Sequence, residues 1–126
     1  MREKLLSGQP TLGAFLGLGS PSVAELMACC GYDWLLVETE HNAGDDACVE
    51  HMLRAMNGSR TIPLVRPSSG DPLTIMKMLD RGAMGLVIPM VRTAKEAEAI
   101  VRATRYPPFR NSRIRAAAGI SIYSPI

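Results

Sequence analysis

The chain has 126 residues, 47% of them hydrophobic, with 14 basic against 12 acidic side chains and a formal charge of +2. That is enough apolar material for a packed core, and it argues against global disorder. The near-balanced charge and the six aromatic residues exclude the basic, aromatic-interleaved stripe of a nucleic-acid binder, and no run approaches the ~18 apolar residues of a membrane span.

The N-terminal stretch MREKLLSGQPTLG has no long apolar core, so it does not read as a secretory signal. Cys29, Cys30 and Cys48 form neither an even disulfide framework nor a CxxC pair. A soluble, cytoplasmic protein with free thiols is expected.

Residues 11–17, TLGAFLG, read as a short buried strand. A helix follows, with Ser20 as N-cap, Pro21 at its first position and Gly31 as its stop. Val23, Leu26, Met27 and Cys30 recur at helical spacing and are expected to face inward, with Cys29 and Cys30 in the core. WLLV, residues 34–37, is apolar on both faces, as in a parallel strand covered by helices. The next helix is capped by Asp45 or Asp46, turns Val49, Met52, Leu53 and Met56 inward, and ends at Asn57-Gly58. TIPLVRP gives a third strand, and a third helix runs from the Asp71 cap through Pro72 to Gly82. MGLVIPM gives a fourth strand, and a fourth helix is capped by Thr93 and ends before Pro107. Four strand–helix units imply a parallel α/β sheet. Spacing leaves two architectures open, an open doubly wound sheet and half of a (β/α)8 barrel, which typically needs ~250 residues. Residues 109–126 show no clear period and read as a weakly structured tail.

In parallel α/β folds ligands bind beyond the carboxyl ends of the strands. Glu38, Glu40 and His41 stand there after the second strand, and Arg66 after the third. An imidazole can move protons and a guanidinium can hold a carboxylate bidentately, although polar residues after a strand also serve as ordinary loop residues. His41, Asp45 and Asp46 are types that bind metal, but capping already accounts for the aspartates. GAFLGLGSP lacks the third glycine of a dinucleotide loop. Ser20 and Ser68 have no nucleophile-elbow context, and His51 reads as a surface residue.

The blocks GYDWLLVETEHN, IPLVRPSSGDP and MLDRGAMGLVIPMVRTAKEAEAIVRATRYPP, in this order and with matching gaps, closely resemble the HpcH/HpaI aldolase family. The resemblance covers roughly residues 10–108 and implies the N-terminal half of a TIM (β/α)8 barrel, with residues 1–108 as a partial (β/α)4 unit. It implies a metal-dependent lyase that cleaves a 4-hydroxy-2-oxo acid into pyruvate and an aldehyde. On this resemblance His41 is the acid/base, Arg66 binds the pyruvyl carboxylate or keto oxygen, and Glu38 is the acidic residue of the histidine motif, where many relatives have Asp. Phe15 falls where relatives often carry a pocket Trp, and Asp80 matches a carboxylate that orients the histidine across a subunit contact. Glu40 matches the motif's Glu without an assigned role. The family uses a divalent cation, Mg2+, Mn2+ or Co2+, held by a Glu and an Asp at the ends of strands five and six. Neither ligand is in this chain, so it is expected to be weakly active or inactive alone. The partners implied are a small 2-oxo acid and further copies in a homo-oligomer, with neither nucleic acid nor membrane. Two other readings stand beside it, a non-catalytic module that pairs with full-length subunits and a CoA-ester lyase of the citrate lyase β-subunit type.

Overall fold

The computed structural model describes residues 1–105 apart from Ala43, so the expectations for Pro107 and the 109–126 tail lie outside the described residues. In chain order the elements are α1 (Arg2–Leu6), β1 (Gly13–Leu16), α2 (Pro21–Ala28), β2 (Trp34–Glu38), α3 (Asp46–Ala55), β3 (Ile62–Arg66), α4 (Pro72–Asp80), β4 (Gly85–Leu86) and α5 (Ala94–Ala103). Helix α1 was not expected from the sequence; it is tied to the start of β2 by Lys4 Nζ, 2.6 Å from Asp33 Oδ1.

Local signals set the helix starts. Ser20 accepts the Val23 N–H, Asp71 accepts those of Leu73 and Thr74, and Thr93 forms a reciprocal capping box with Glu96. Asp45, rather than Asp46, caps α3. Gly31 and Gly82, with φ of 85° and 101°, let the chain leave α2 and α4 in a conformation that other residues rarely adopt.

Among the described residues the four strands form one parallel sheet in the order β1-β2-β3-β4. This order separates the two architectures that the sequence left open. A doubly wound sheet reverses its strand order, whereas here each strand is added beside the last, as in a (β/α)8 barrel. Right-handed crossovers then place the helices on a single face. The core forms there, where Leu16, Leu35, Val37, Val65 and Leu86 from the strands meet Ala24, Ala28, Val49, Met52, Leu53, Ile75 and Met78 from the helices.

The inward face expected for α3 is found, but that of α2 is corrected. Leu26 is 66% exposed and Cys29 and Cys30 are exposed, while Ala24 and Ala28 are buried. Helix α2 ends at Ala28, so both cysteines fall beyond it. Two small residues one turn apart supply the buried part of its inward face, Met27 packs partly against the core beside them, and Leu26 turns away. Strand β4 is also shorter than expected, and Met90 beyond it has φ 60°.

Alternation along β2 and β3 puts Trp34, Leu36, Glu38, Ile62, Leu64 and Arg66 on the sheet face away from the helix-side core. The Trp34 ring lies against the backbone of Gly13 and meets Phe15 edge-on, with centroids 6.3 Å apart.

Candidate functional site

Strands β2 and β3 end together. Glu38 and Arg66 are register partners at the last rung, so alternation aims both side chains at the same face. The rung is locked from β2, because the Thr39 N–H and hydroxyl both donate to the Arg66 carbonyl, at 3.0 and 2.7 Å.

Glu38 is 6% exposed. Its Oε1 accepts the N–H groups of Glu40 at 2.6 Å and His41 at 3.4 Å, and its Oε2 pairs with Arg66 Nη2. Burial by itself pushes the Glu38 carboxyl up, but the Arg66 guanidinium and the two backbone donors outweigh it, leaving the group below its ordinary value of 4.5. The Glu38 carboxylate in turn raises Arg66 further above its ordinary value.

Arg66 is the hub of the cluster. Its Nε lies 3.3 Å from Glu40 Oε2, and its Nη2 lies 3.2 Å from His41 Nδ1. Its Cζ sits 5.4 Å from the centroid of the Phe15 ring, on which the cation is favourably placed. Phe15 itself is 56% exposed, and the His41 side chain is exposed at the rim of the cluster. Four of the residues singled out from the sequence, Phe15, Glu38, His41 and Arg66, thus come together. Asp80 does not join them. It is the exposed last residue of α4, at the end of that helix away from the strands' carboxyl termini.

Glu40 enters the site without having been given a role by the sequence. The signal was its place two residues after Glu38, in the bend that follows the end of β2.

Glu38, Glu40 and His41 offer ligand atoms within 4.8 Å of one another, a donor set of the kind a divalent cation accepts. Arg66 contacts all three, however, so a guanidinium already engages the donor atoms that a metal ion would need, and the trio does not fit a metal ion as arranged. The trio of His41, Asp45 and Asp46 is not assembled. Asp45 accepts the Cys48 N–H at 2.8 Å, and Asp46 pairs with Arg81 at 3.0 Å and Lys77 at 3.7 Å.

Residues 11–122 match the family described as HpcH/HpaI aldolase/citrate lyase. Curated relatives named 4-hydroxy-2-oxo-heptane-1,7-dioate aldolase are similar in sequence. Those of Klebsiella pneumoniae and Escherichia coli are each 46% identical over 107 residues, 85% of this chain and 40% and 41% of theirs. The chain therefore spans about 40% of the length of these relatives. Among solved structures, an HpcH/HpaI aldolase/citrate lyase family protein from Burkholderia cenocepacia matches with a TM-score of 0.80 and 35% identity, covering 95% of this chain and 48% of that one. Citrate synthase SbnG matches with a TM-score of 0.78 and 34% identity, over 86% and 44%. With the singly wound strand order and the Glu38–Arg66 rung at the strands' carboxyl ends, these likenesses make the chain a member of the HpcH/HpaI aldolase/citrate lyase family.

Proposed function

We propose that this chain carries the substrate-binding and proton-transfer half of a carbon–carbon lyase site, one that splits a 4-hydroxy-2-oxo acid into pyruvate and an aldehyde. The observation that carries the reading is the 3.2 Å approach of Arg66 Nη2 to His41 Nδ1 at the carboxyl ends of two adjacent parallel strands. A donor-only cation and a proton acceptor are what cleavage of such a substrate needs side by side. Arg66 holds the carboxylate or keto oxygen of the 2-oxo acid. His41 takes the proton of the C4 hydroxyl, the C3–C4 bond breaks, and its electron pair moves into the pyruvate enolate, whose negative oxygen Arg66 faces. Phe15 covers the guanidinium and gives the pocket an apolar wall.

A divalent cation, when bound, supplies a second sink for the enolate charge. On the family resemblance its ligands are carboxylates of strands five and six, which the described residues do not include. This chain alone is accordingly a weak or inactive catalyst. The same reading makes the enzyme a cytoplasmic homo-oligomer. Asp80 lies far from the His41 of its own chain, which suits the role of orienting a neighbouring subunit's histidine. Sequence identity to the curated aldolases, at 46%, exceeds the 34% to citrate synthase SbnG and favours cleavage over citrate formation.

The test grafts residues 11–105 onto the remainder of the Escherichia coli relative and measures pyruvate release from 4-hydroxy-2-oxo-heptane-1,7-dioate. The chimera is expected to release pyruvate, and His41→Ala and Arg66→Ala to abolish it. The 126-residue chain by itself is expected to release little. A folded chimera without activity, or one indifferent to both substitutions, would sink the reading.

A further inference from the structure

Glu40 stands at the centre of the site, yet neither proton transfer nor substrate binding uses it. A guanidinium has only donors. The 3.2 Å contact from Arg66 Nη2 therefore needs the lone pair of His41 Nδ1, which puts the proton of the neutral imidazole on Nε2. Glu38 is committed elsewhere, its Oε1 accepting two backbone N–H groups and its Oε2 paired with Arg66. Glu40 is placed differently. Its Oε2 lies 3.3 Å from Arg66 Nε and 3.8 Å from His41 Nδ1, so one oxygen faces both cationic partners.

We propose that Glu40 is a positioning residue, which holds Arg66 against the neutral His41 and becomes the counter-ion of the imidazole once Nδ1 has taken a proton. The role in catalysis rests on the lyase reading above, while the geometry does not. When Nδ1 gains a proton, Nδ1–H and Nη2–H face each other as two donors of like charge, and that contact is lost. The nearest acceptor is then Glu40 Oε2. The proton moves from the substrate hydroxyl to Nδ1, no electrons change hands, and the new N–H donates to Glu40 while Arg66 stays paired with Glu38. The charged groups that face His41 are Glu38 and Glu40 of its own segment and Arg66 of β3; Phe15 of β1 adds no charge. Glu38, Glu40 and Arg66 together hold one negative charge in surplus, which the imidazolium cancels.

The experiment is nuclear magnetic resonance on the 15N-labelled 126-residue chain. It follows the Arg66 Nε–H signal as the histidines are titrated, with the exposed His51 of α3 as internal reference. In the wild type the Arg66 signal is expected to move in step with His41 and not with His51. In Glu40→Gln, which keeps the size and removes the charge, that coupling is expected to shrink to the part carried by the direct Arg66 Nη2–His41 Nδ1 contact. Glu40→Asp keeps the charge and is expected to retain a weaker coupling, so it decides the matter if the glutamine variant fails to fold. An Arg66 signal that ignores His41 in the wild type, or an unchanged coupling in Glu40→Gln, overturns the proposal, as does loss of coupling in a folded Glu40→Asp. An inactive chimera would remove the lyase reading and leave this result standing, so the two failures are distinguishable.

Discussion

Gly13→Ala is a one-carbon change that should travel to the site. An ideal Cβ at Gly13 would lie 2.0 Å from Cδ2 and 2.1 Å from Cε2 of Trp34. Ordinary carbon contacts sit at about 3.5–4.0 Å, so the ring must retreat by roughly 1.5 Å, or β1 must peel from β2 at the Gly13–Trp34 rung. The ring is not free to retreat. Its Nε1–H donates to Thr11 Oγ1 at 3.3 Å, and it meets Phe15 at an interplanar angle of 76°. Losing the hydrogen bond costs about 1 kcal/mol, losing the edge-on contact about 0.5–1.5 kcal/mol, and overpacking about 1–3 kcal/mol. Against these stands a gain of about 0.4–1 kcal/mol from the stiffer unfolded chain. The clash wins, and a net loss of about 3 kcal/mol is expected, a large share of the ~5–15 kcal/mol that holds a domain folded. Urea unfolding followed by far-ultraviolet dichroism measures it, and emission from Trp34, the single tryptophan, reports the ring's displacement. The double variant with Trp34→Leu separates the causes. In that background the alanine should be nearly neutral. A loss under about 0.5 kcal/mol in the wild-type background, or an equal loss in both backgrounds, would refute the steric account.

Arg66→Met should invert the pH dependence that Glu38 contributes. In the wild type the carboxyl is held below its ordinary value of 4.5, so its contribution is present above that pH and is lost as pH falls through the lowered value. Without Arg66 burial dominates and the carboxyl titrates above its ordinary value. The variant's deficit in urea midpoint against wild type should then shrink as the buffer goes from neutral to mildly acidic, and adding Glu38→Gln should recover most of it at neutral pH. Met90→Gly should stabilise the chain by about 1 kcal/mol, because Met90 is 71% exposed with φ 60°, a conformation that costs an L-residue about 1–2 kcal/mol; calorimetric melting would show it. Thr93→Ala removes one side of the α5 capping box and should cost about 1 kcal/mol by the same measurement.

Signals that act within one turn of chain were legible in the sequence. The caps Ser20, Asp71 and Thr93 depend only on a side-chain oxygen and the next three backbone N–H groups, so a short window contains the whole interaction. The face of α2 was not legible. Val23, Leu26, Met27 and Cys30 have helical spacing, but Ala24 and Ala28 make a second, smaller-sided stripe on the same helix, and which stripe turns inward depends on the space beneath α2. Strand order was likewise out of reach. Strand–helix spacing is the same for a doubly wound sheet and a barrel half, and only the pairing of β1 with β2, β2 with β3 and β3 with β4 separates them.

The site illustrates the same boundary between local and non-local information. The sequence placed Glu38, Glu40, His41 and Arg66 near the ends of two strands, but nearness to a strand end does not make a cluster. Register does. Because Glu38 pairs with Arg66 at the last rung, alternation sends both side chains to the same face. A slip of one residue in β3 would put Val65 at that rung and aim Arg66 into the helix-side core, where no carboxylate waits for it. The apolar run of β3 reads equally well in either register, because parallel strands are covered on both faces. What specifies the native one is the rung itself. The Thr39 hydroxyl closes on the Arg66 carbonyl at 2.7 Å, and the guanidinium closes on Glu38 and Glu40. The ion pairs that suit Arg66 to hold an anion therefore also fix the sheet register that exposes it, and function and fold constrain these residues together.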